Sequence, residues 1–177
     1  MSLIYFVMNK KSGVSLIETV IYVAILAVLI VFTVNTILTM SSVYARARLI
    51  RRVAFDSETA LERVTREIRL ASSVDDGASS FDVNPSRVVL NTIKSFEDPT
   101  PEIKEFYLSG SRLAFREGAG AEKFLTSDDT DVSSFVVNKI QTQHSQALKI
   151  TLIIEASGGK NQISRNFYQT AILKGGY

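Results

Sequence analysis

The 177-residue chain has the bulk composition of a soluble domain, with 46% hydrophobic and 21% charged residues. It contains no cysteine, which excludes disulfides, thiolate nucleophiles and cysteine metal sites. The formal net charge of +2 hides an uneven distribution, because the stretch from Arg46 to Arg69 is rich in arginine while the segment after Ser73 is slightly acidic.

The apolar residues are concentrated in one segment, Val14 to Leu38, whose single ionisable residue is Glu18. The segment exceeds the roughly 20 apolar residues that a bilayer-spanning helix needs. Lys10 and Lys11 precede it, so the positive-inside rule predicts a cytoplasmic N-terminus and an extracytoplasmic body. The apolar run is longer than that of a secretory signal and is not followed by small residues at a cleavage point, which favours a retained membrane anchor.

The helix is predicted to continue beyond the membrane, because neither glycine nor proline occurs between Val14 and Asp76. We expect one helix over residues 14–73, amphipathic beyond Ser42. Its apolar stripe recurs at helical spacing and is expected to pack against the rest of the chain. The stripe consists of Ile50, Val53, Leu61, Val64, Ile68 and Ala71.

Short runs with β-strand character follow the helix and are separated by turn residues. They are Arg87 to Ile93, Glu105 to Leu108, Arg112 to Arg116, Phe135 to Lys139, Ala147 to Glu155 and Phe167 to Leu173. The turn at 157–161, SGGKN, is expected to join the last two strands as a hairpin. The predicted fold class is α+β, with a long N-terminal helix packed against an antiparallel sheet. The expected divisions are a leader at 1–13, an apolar helix at 14–40, its amphipathic continuation at 41–73 and a β-rich head at 74–177.

The segment Lys11 to Thr19, KSGVSLIET, resembles the processing site of type IV prepilins and pseudopilins. In that family a basic leader ends in glycine and is followed by a hydrophobic residue, a small hydroxyl residue, two aliphatics and a glutamate. Gly13 matches the residue before the cut, Val14 the new N-terminus and Glu18 the family's glutamate. The resemblance implies cleavage by prepilin peptidase after Gly13 and N-methylation of the new terminus.

Two features of this segment depart from the family pattern. Val14 stands where phenylalanine or methionine is usual, and this departure weakens the expectation that the new amine is methylated. Leu3 to Met8 is unusually apolar for a leader, and translation from Met8 would give a compact leader, Met8 to Gly13.

Glu18 has a physical argument of its own. A lone carboxylate in an apolar helix is costly unless it is paired or protonated, and intramembrane acids are functional by default. One interpretation is an acid at the level of the lipid headgroups, stabilised by the positive end of the helix dipole. The other, favoured with Gly13 and the lysines in place, is pairing with the α-amino group of an assembling neighbour, which would fix the register between subunits.

A finer resemblance links residues 56–69, the ALKITLIIE strand and the RNFYQTAILK segment to J-type pseudopilins and W-type minor pilins. It implies a position at or near the tip of a filament and a part in starting assembly. The partners implied are other pilin or pseudopilin subunits, prepilin peptidase, the inner-membrane assembly platform and the membrane. Pilus, secretion pseudopilus and DNA-uptake machine all remain open.

Other residue clusters have two interpretations each. The arginines could contact DNA, but a solvated helix face with pairs such as Glu62 with Arg66 and Arg63 with Glu67 is favoured, so no nucleic-acid partner is expected. Asp128, Asp129 and Asp131 could belong to a calcium loop, but their spacing fits no complete ligand set. Thr33, Thr36 and Thr39 are expected to hydrogen-bond backbone carbonyls of their own helix.

No catalytic or cofactor motif is recognised. The sequence has a single histidine, His144, no nucleophile with a base beside it and no phosphate-binding glycine loop. We therefore expect a protein without enzymatic activity, metal or cofactor. The alternative function is a signal-anchored extracytoplasmic binding protein or adhesin, whose helix only tethers the head.

Overall fold

The computed structural model describes residues 15–95, 97–142, 145–159 and 161–173. Within these ranges one long helix is followed by eight strands. The elements are α1 (Leu16–Leu70), β1 (Ser73–Val74), β2 (Val88–Ile93), β3 (Pro101–Ser109), β4 (Arg112–Glu117), β5 (Lys123–Phe124), β6 (Asp131–Gln141), β7 (Gln146–Gly158) and β8 (Asn161–Ile172). The chain divides into two compact units, Met1–Val43 and Tyr44–Tyr177, and α1 contributes residues to both.

The long helix is confirmed. It was predicted to end at Ser73 and ends at Leu70, while the predicted start at Val14 lies outside the described residues. Just after the end of α1, the Ser72 N–H donates to the carbonyl of Asn91 in β2 at 2.9 Å instead of to a carbonyl of the helix. The chain then enters β1 directly, so the end of α1 is fixed to the first sheet.

In the second unit, one face of α1 is buried by the strands. The buried apolar residues of α1 are Leu49, Val53, Ala60, Val64 and Ile68. The predicted stripe is therefore correct at its centre and wrong at one end, since Ile50 is 39% exposed whereas Leu49 is 5% exposed. One residue turns a helix by about 100°, which moves Ile50 away from the face of Val53. Leu61 is only partly buried at the margin of the core.

The first sheet has five antiparallel strands in the order β1-β2-β3-β4-β5. Its three longer strands confirm predicted strands, and β3 begins at Pro101 rather than Glu105. The two-residue strands β1 and β5 were not predicted, because two residues carry no readable alternation. Phe106 pairs with Phe115 across β3 and β4, and their stacked rings lie 4.8 Å apart. This pair closes the sheet over the buried face of α1.

The second sheet has three antiparallel strands in the order β6-β7-β8. The predicted hairpin is confirmed, with Gly158 opposite Asn161. Gly159 in the turn has a φ of 61°, a left-handed conformation that glycine adopts without strain. The last strand begins at Asn161, six residues before the predicted start at Phe167. The prediction missed this first half because its side chains are mostly polar and exposed and give no apolar alternation.

Residues 82–86 cover the outer edge of β6. The Asp82 N–H donates to the Val137 carbonyl at 3.0 Å, and the Ser86 N–H donates to the Phe135 carbonyl at 2.8 Å. In return, the Phe135 N–H donates to Asn84 Oδ1 at 3.1 Å. This edge of the second sheet is therefore paired over its central residues.

The core joins α1 to both sheets. The first sheet contributes Leu90, Phe106, Leu113 and Phe115, and the second contributes Phe135, Leu148, Ile150 and Leu152. The α+β class with a helix packed on antiparallel strands is confirmed. The sequence predicted a single sheet, whereas the structure has two. Strands β1 to β5 pair only with one another, and so do β6 to β8.

Candidate functional site

Among the described residues, the first half of α1 presents an exposed apolar surface. Every residue from Ser15 to Arg48 is exposed, and from Leu16 to Ala45 the only charged residue is Glu18. Within the described residues, α1 is the one helix long and apolar enough to cross a membrane. Such a surface is stable in lipid or against other apolar helices and is unfavourable in water.

Glu18 lies in the first turn of α1 and has a partner that the sequence reading missed. The Tyr22 hydroxyl donates a hydrogen bond of 2.8 Å to Glu18 Oε1. The two residues are four positions apart, and this spacing places side chains on the same face of a helix. That spacing is readable in the sequence and could have identified Tyr22. The first turn also carries the positive end of the helix dipole, which favours a carboxylate there.

Other hydroxyls in the apolar half are satisfied within the helix, as predicted. The Thr33 hydroxyl donates to the Leu29 carbonyl at 2.7 Å, and the Thr36 hydroxyl donates to the Phe32 carbonyl at 2.9 Å. The Thr39 hydroxyl makes the same bond to its own i−4 carbonyl at 2.9 Å. These threonines therefore present methyl groups to the surroundings and keep their polar atoms internal.

The remaining predicted site residues lie outside the described residues. They are Lys10 and Lys11 of the leader, Gly13 before the expected cut and Val14 after it. Cleavage after Gly13 and pairing of a new amine with Glu18 therefore stay predictions. The structure describes the acceptor, Glu18, and its position in the first turn of α1.

The arginine-rich part of α1 divides between exposed charges and ion pairs with the strands. The predicted pair of Arg63 and Glu67 is present at 3.1 Å. The predicted Glu62–Arg66 pair is absent from the ion pairs of the described residues, where Arg66 Nε lies 3.9 Å from Glu67. Arg63 also contacts Glu117 at 2.9 Å and stacks over the Phe115 ring at 4.7 Å.

A buried ion pair inside the head was not predicted. Lys104 Nζ of β3 lies 2.9 Å from Glu67 Oε2 of α1, and both side chains are almost fully buried. Lys104 also donates to the Lys94 carbonyl at 3.0 Å. Near this pair, the hydrogen bond from Lys123 lowers the pKa of Glu117 from its ordinary value of 4.5, while partial burial opposes the shift. These ionic contacts connect α1 to the first sheet.

The acidic loop before β6 forms an ion pair and hydrogen bonds with α1. Asp129 Oδ2 lies 3.1 Å from Arg52 Nη1 of α1. Asp56 of α1 accepts bonds from the Ser127 N–H at 3.1 Å, the Ser127 hydroxyl at 2.7 Å and the Thr130 hydroxyl. Across the described ranges, no group of three or more histidine, cysteine, aspartate or glutamate side chains has the geometry of a metal site.

Comparison with known proteins identifies the N-terminal segment. The family model described as the prokaryotic N-terminal methylation motif matches residues 8–34, which include Gly13, Val14 and Glu18. The match is confined to this N-terminal segment, and it supports the resemblance of the segment to the N-terminal signal of type IV pilin-like proteins. Together with the apolar half of α1, it is consistent with a membrane-anchored protein. Neither the search of curated proteins nor the search of solved structures finds a match.

Proposed function

We propose that the protein is a minor pilin or pseudopilin, a non-enzymatic subunit of a type IV pilus or of a filament of the type II secretion kind. Its precursor is inserted with the N-terminus in the cytoplasm and the head outside. Prepilin peptidase cuts after Gly13, and the subunit then enters the filament through α1, at or near the tip.

The exposed apolar half of α1 carries the proposal. Residues Leu16 to Ala45 hold one charged side chain, and all of them are exposed. A segment of this kind exchanges lipid for neighbouring helices at little hydrophobic cost, since lipid chains and apolar side chains are similar solvents. The same surface therefore serves first as the membrane anchor and then as the packing surface in a filament.

Glu18 fixes the register in which α1 packs against neighbouring helices. A carboxylate surrounded by apolar helices is costly unless it meets a cation, and the amine exposed by cleavage after Gly13 supplies one. A neighbour in the correct register pairs its amine with Glu18, whereas a neighbour out of register leaves the charge buried and unpaired. Tyr22 supplies a second partner for the carboxylate in that paired state, through its hydrogen bond of 2.8 Å.

A minor position in the filament is supported by the resemblance of α1 and the last hairpin to J-type pseudopilins and W-type minor pilins. The absence of cysteine agrees with this position, since major pilins commonly close a C-terminal loop with a disulfide.

The processing step is tested by expressing the full chain in membranes with and without a prepilin peptidase. We expect the peptidase to shorten the chain by about 13 residues, read by intact mass and N-terminal sequencing. Gly13→Leu is expected to block the shortening, because a large side chain occupies the position before the cut. Gly77→Leu, which places the same side chain in an exposed turn of the head, is the matched control and is expected to be cut normally.

The assembly step is tested with Glu18→Ala in cells that build the filament. The variant is expected to insert and be cut like the wild type but to be depleted from sheared filaments. Thr36→Ala is the matched control, because its hydroxyl bonds only its own helix. Equal incorporation of Glu18→Ala and wild type would remove the proposed role of the carboxylate.

The same experiments distinguish the proposed function from the alternative, a signal-anchored binding protein or adhesin. That function requires no processing, so it predicts a chain that keeps its leader in the presence of active peptidase.

A further inference from the structure

The outer edge of β8 carries backbone groups that lack partners among the described residues. The Leu173 N–H donates to the Gln146 carbonyl at 3.0 Å, which sets the phase of hydrogen bonding between β7 and β8. In an antiparallel ladder, alternate residues bond to the same neighbour. The N–H and C=O groups of Tyr168, Thr170 and Ile172 are therefore directed away from β7, toward an edge with no further strand.

The two edges of this sheet differ. The edge of β6 is covered by residues 82–86, which exchange hydrogen bonds with Phe135 and Val137. The edge of β8 has no such cover within the described ranges. Exposed edges are usually protected by charges or proline, yet the stretch 166–172, NFYQTAI, contains neither. This uncharged part of the 12-residue strand is open to pairing with another chain.

A groove lies beside this edge, between β8 and the flank of α1. It has a volume of about 700 Å³. It is lined by Glu58, Leu61, Glu62, Thr65, Arg66, Arg69 and Leu70 of α1 and by Gln169 of β8. A strand added to β8 would therefore lie beside this flank of α1, near Leu61 and Thr65.

Two arginine side chains of the groove lack a close carboxylate partner among the described residues. Arg69 forms no ion pair with any described residue, and Arg66 has a carboxylate only at 3.9 Å. Glu58 and Glu62 line the other end of the groove, so a carboxylate in the occupant is favoured at the Arg69 end.

We propose that the β8 edge binds an extended segment of a neighbouring filament subunit, which pairs with β8 as an added strand. This proposal rests on the proposed function. The segment is uncharged where it pairs with Tyr168 to Ile172, presents an apolar side chain to Leu61 and carries an acidic residue that reaches Arg69. Backbone pairing supplies affinity, and the groove supplies selectivity.

The backbone pairing is tested with Thr170→Pro in the full chain, in cells that build the filament. Proline removes the outward N–H and obstructs an added strand, while the bonds of the neighbouring residues to β7 remain. Thr170→Val, which keeps the N–H, is the matched control. We expect Thr170→Pro to be cut after Gly13 and to resist protease like the control, but to be depleted from sheared filaments by about tenfold or more. Undiminished incorporation of a folded Thr170→Pro would overturn the proposal.

A second pair of variants leaves the strand intact. Arg69→Glu places a carboxylate in the groove and is expected to reduce incorporation severalfold. Arg51→Glu is the matched control, because 18 residues correspond to five helical turns and both arginines are exposed on the same side of α1. Equal incorporation of the two variants would remove the acidic residue from the proposed segment.

Hydrogen exchange gives a direct reading that does not require a variant. The outward amides of β8 are expected to exchange rapidly in the full chain in detergent and to become protected in isolated filaments. Unchanged exchange of segment 164–173 on assembly would contradict strand addition, and would favour a partner that binds through side chains alone. Failure of the proposed function has a different signature, since the wild-type chain itself would then be absent from filaments.

Discussion

Lys104 Nζ lies 2.9 Å from Glu67 Oε2, with the two side chains only 2% and 3% exposed. The pair joins β3 to α1 at the point where the helix approaches its end at Leu70. A buried ion pair of this kind adds little net stability over an apolar pair, but removal of one partner is costly because it leaves the other charge buried. The head is therefore sensitive to the loss of either residue alone.

Lys104→Met is expected to destabilise the head by about 3 kcal/mol, because the buried Glu67 loses its buried cation and keeps only Arg63 and the more distant Arg66. The double variant Lys104→Met with Glu67→Leu is expected to recover much of this loss. Lys123→Met is the control, since Lys123 is 62% exposed and its pair with Glu117 contributes less than about 1 kcal/mol. The free energy of unfolding is measured by urea denaturation of the full chain in detergent. A Lys104→Met variant as stable as Lys123→Met would contradict the expected role of the buried pair.

Tyr22→Phe is expected to reduce incorporation into filaments by about tenfold. The variant removes one hydrogen bond to a charged group, a bond that is typically worth about 1.5 kcal/mol or more. Tyr44→Phe is the matched control, because the Tyr44 hydroxyl has no hydrogen bond among the described residues. Processing after Gly13 is expected to be unchanged in both variants. In a Glu18→Ala background, Tyr22→Phe should have no further effect, and an additive loss would show that Tyr22 acts independently of the carboxylate.

Asp56→Ala is expected to destabilise the head by about 2 kcal/mol and to loosen the loop before β6. The substitution removes the acceptor of the Ser127 N–H and of the Ser127 and Thr130 hydroxyls. Asp56→Asn keeps one acceptor oxygen and should cost less. Urea denaturation gives the stability, and limited proteolysis reports cleavage near residues 127–130. Glu58→Ala, on the exposed side of α1, serves as the control and should match the wild type in both measurements.

The pH dependence of stability is expected to include a contribution from Glu117. The hydrogen bond from Lys123 lowers the pKa of Glu117 below 4.5, so the folded state favours the ionised carboxyl. The resulting stability is present above the unfolded-state pKa and is lost as pH falls through the lower folded-state pKa. Glu117→Gln should therefore flatten the loss of unfolding free energy below pH 4.5, whereas the exposed Glu62→Gln should not. An unchanged acid profile in Glu117→Gln would argue against this contribution.

Much of the fold follows from local patterns in the sequence. The absence of glycine and proline predicts α1, and the SGGKN turn after ALKITLIIE predicts the β7–β8 hairpin. The buried face of α1 was assigned correctly at Val53, Val64 and Ile68. It was wrong at Ile50, because periodicity alone does not distinguish two adjacent aliphatic residues near the margin of a stripe.

The contacts within the head could not be predicted in this way. Lys104 lies just before the predicted start of its strand at Glu105, and its burial depends on the packing of β3 against a helix residue 37 positions earlier. The contact of Asp56 with Thr130 spans 74 positions. Such pairs are set by tertiary packing, for which one sequence gives no local signal. Tyr22 is the opposite case, because its spacing from Glu18 was sufficient to identify it.

The threonine hydroxyls of the apolar half have a mechanical consequence for a filament built on α1. Because Thr33, Thr36 and Thr39 direct their hydroxyls to their own backbone, this part of the helix has few polar groups with which to hold a neighbour at a fixed height. Over this part of α1, sliding one helix along its neighbour would cost little free energy. In the first turn the same motion would separate Glu18 from its partner. Axial slip under tension would then be resisted at one layer of the bundle rather than along its whole length.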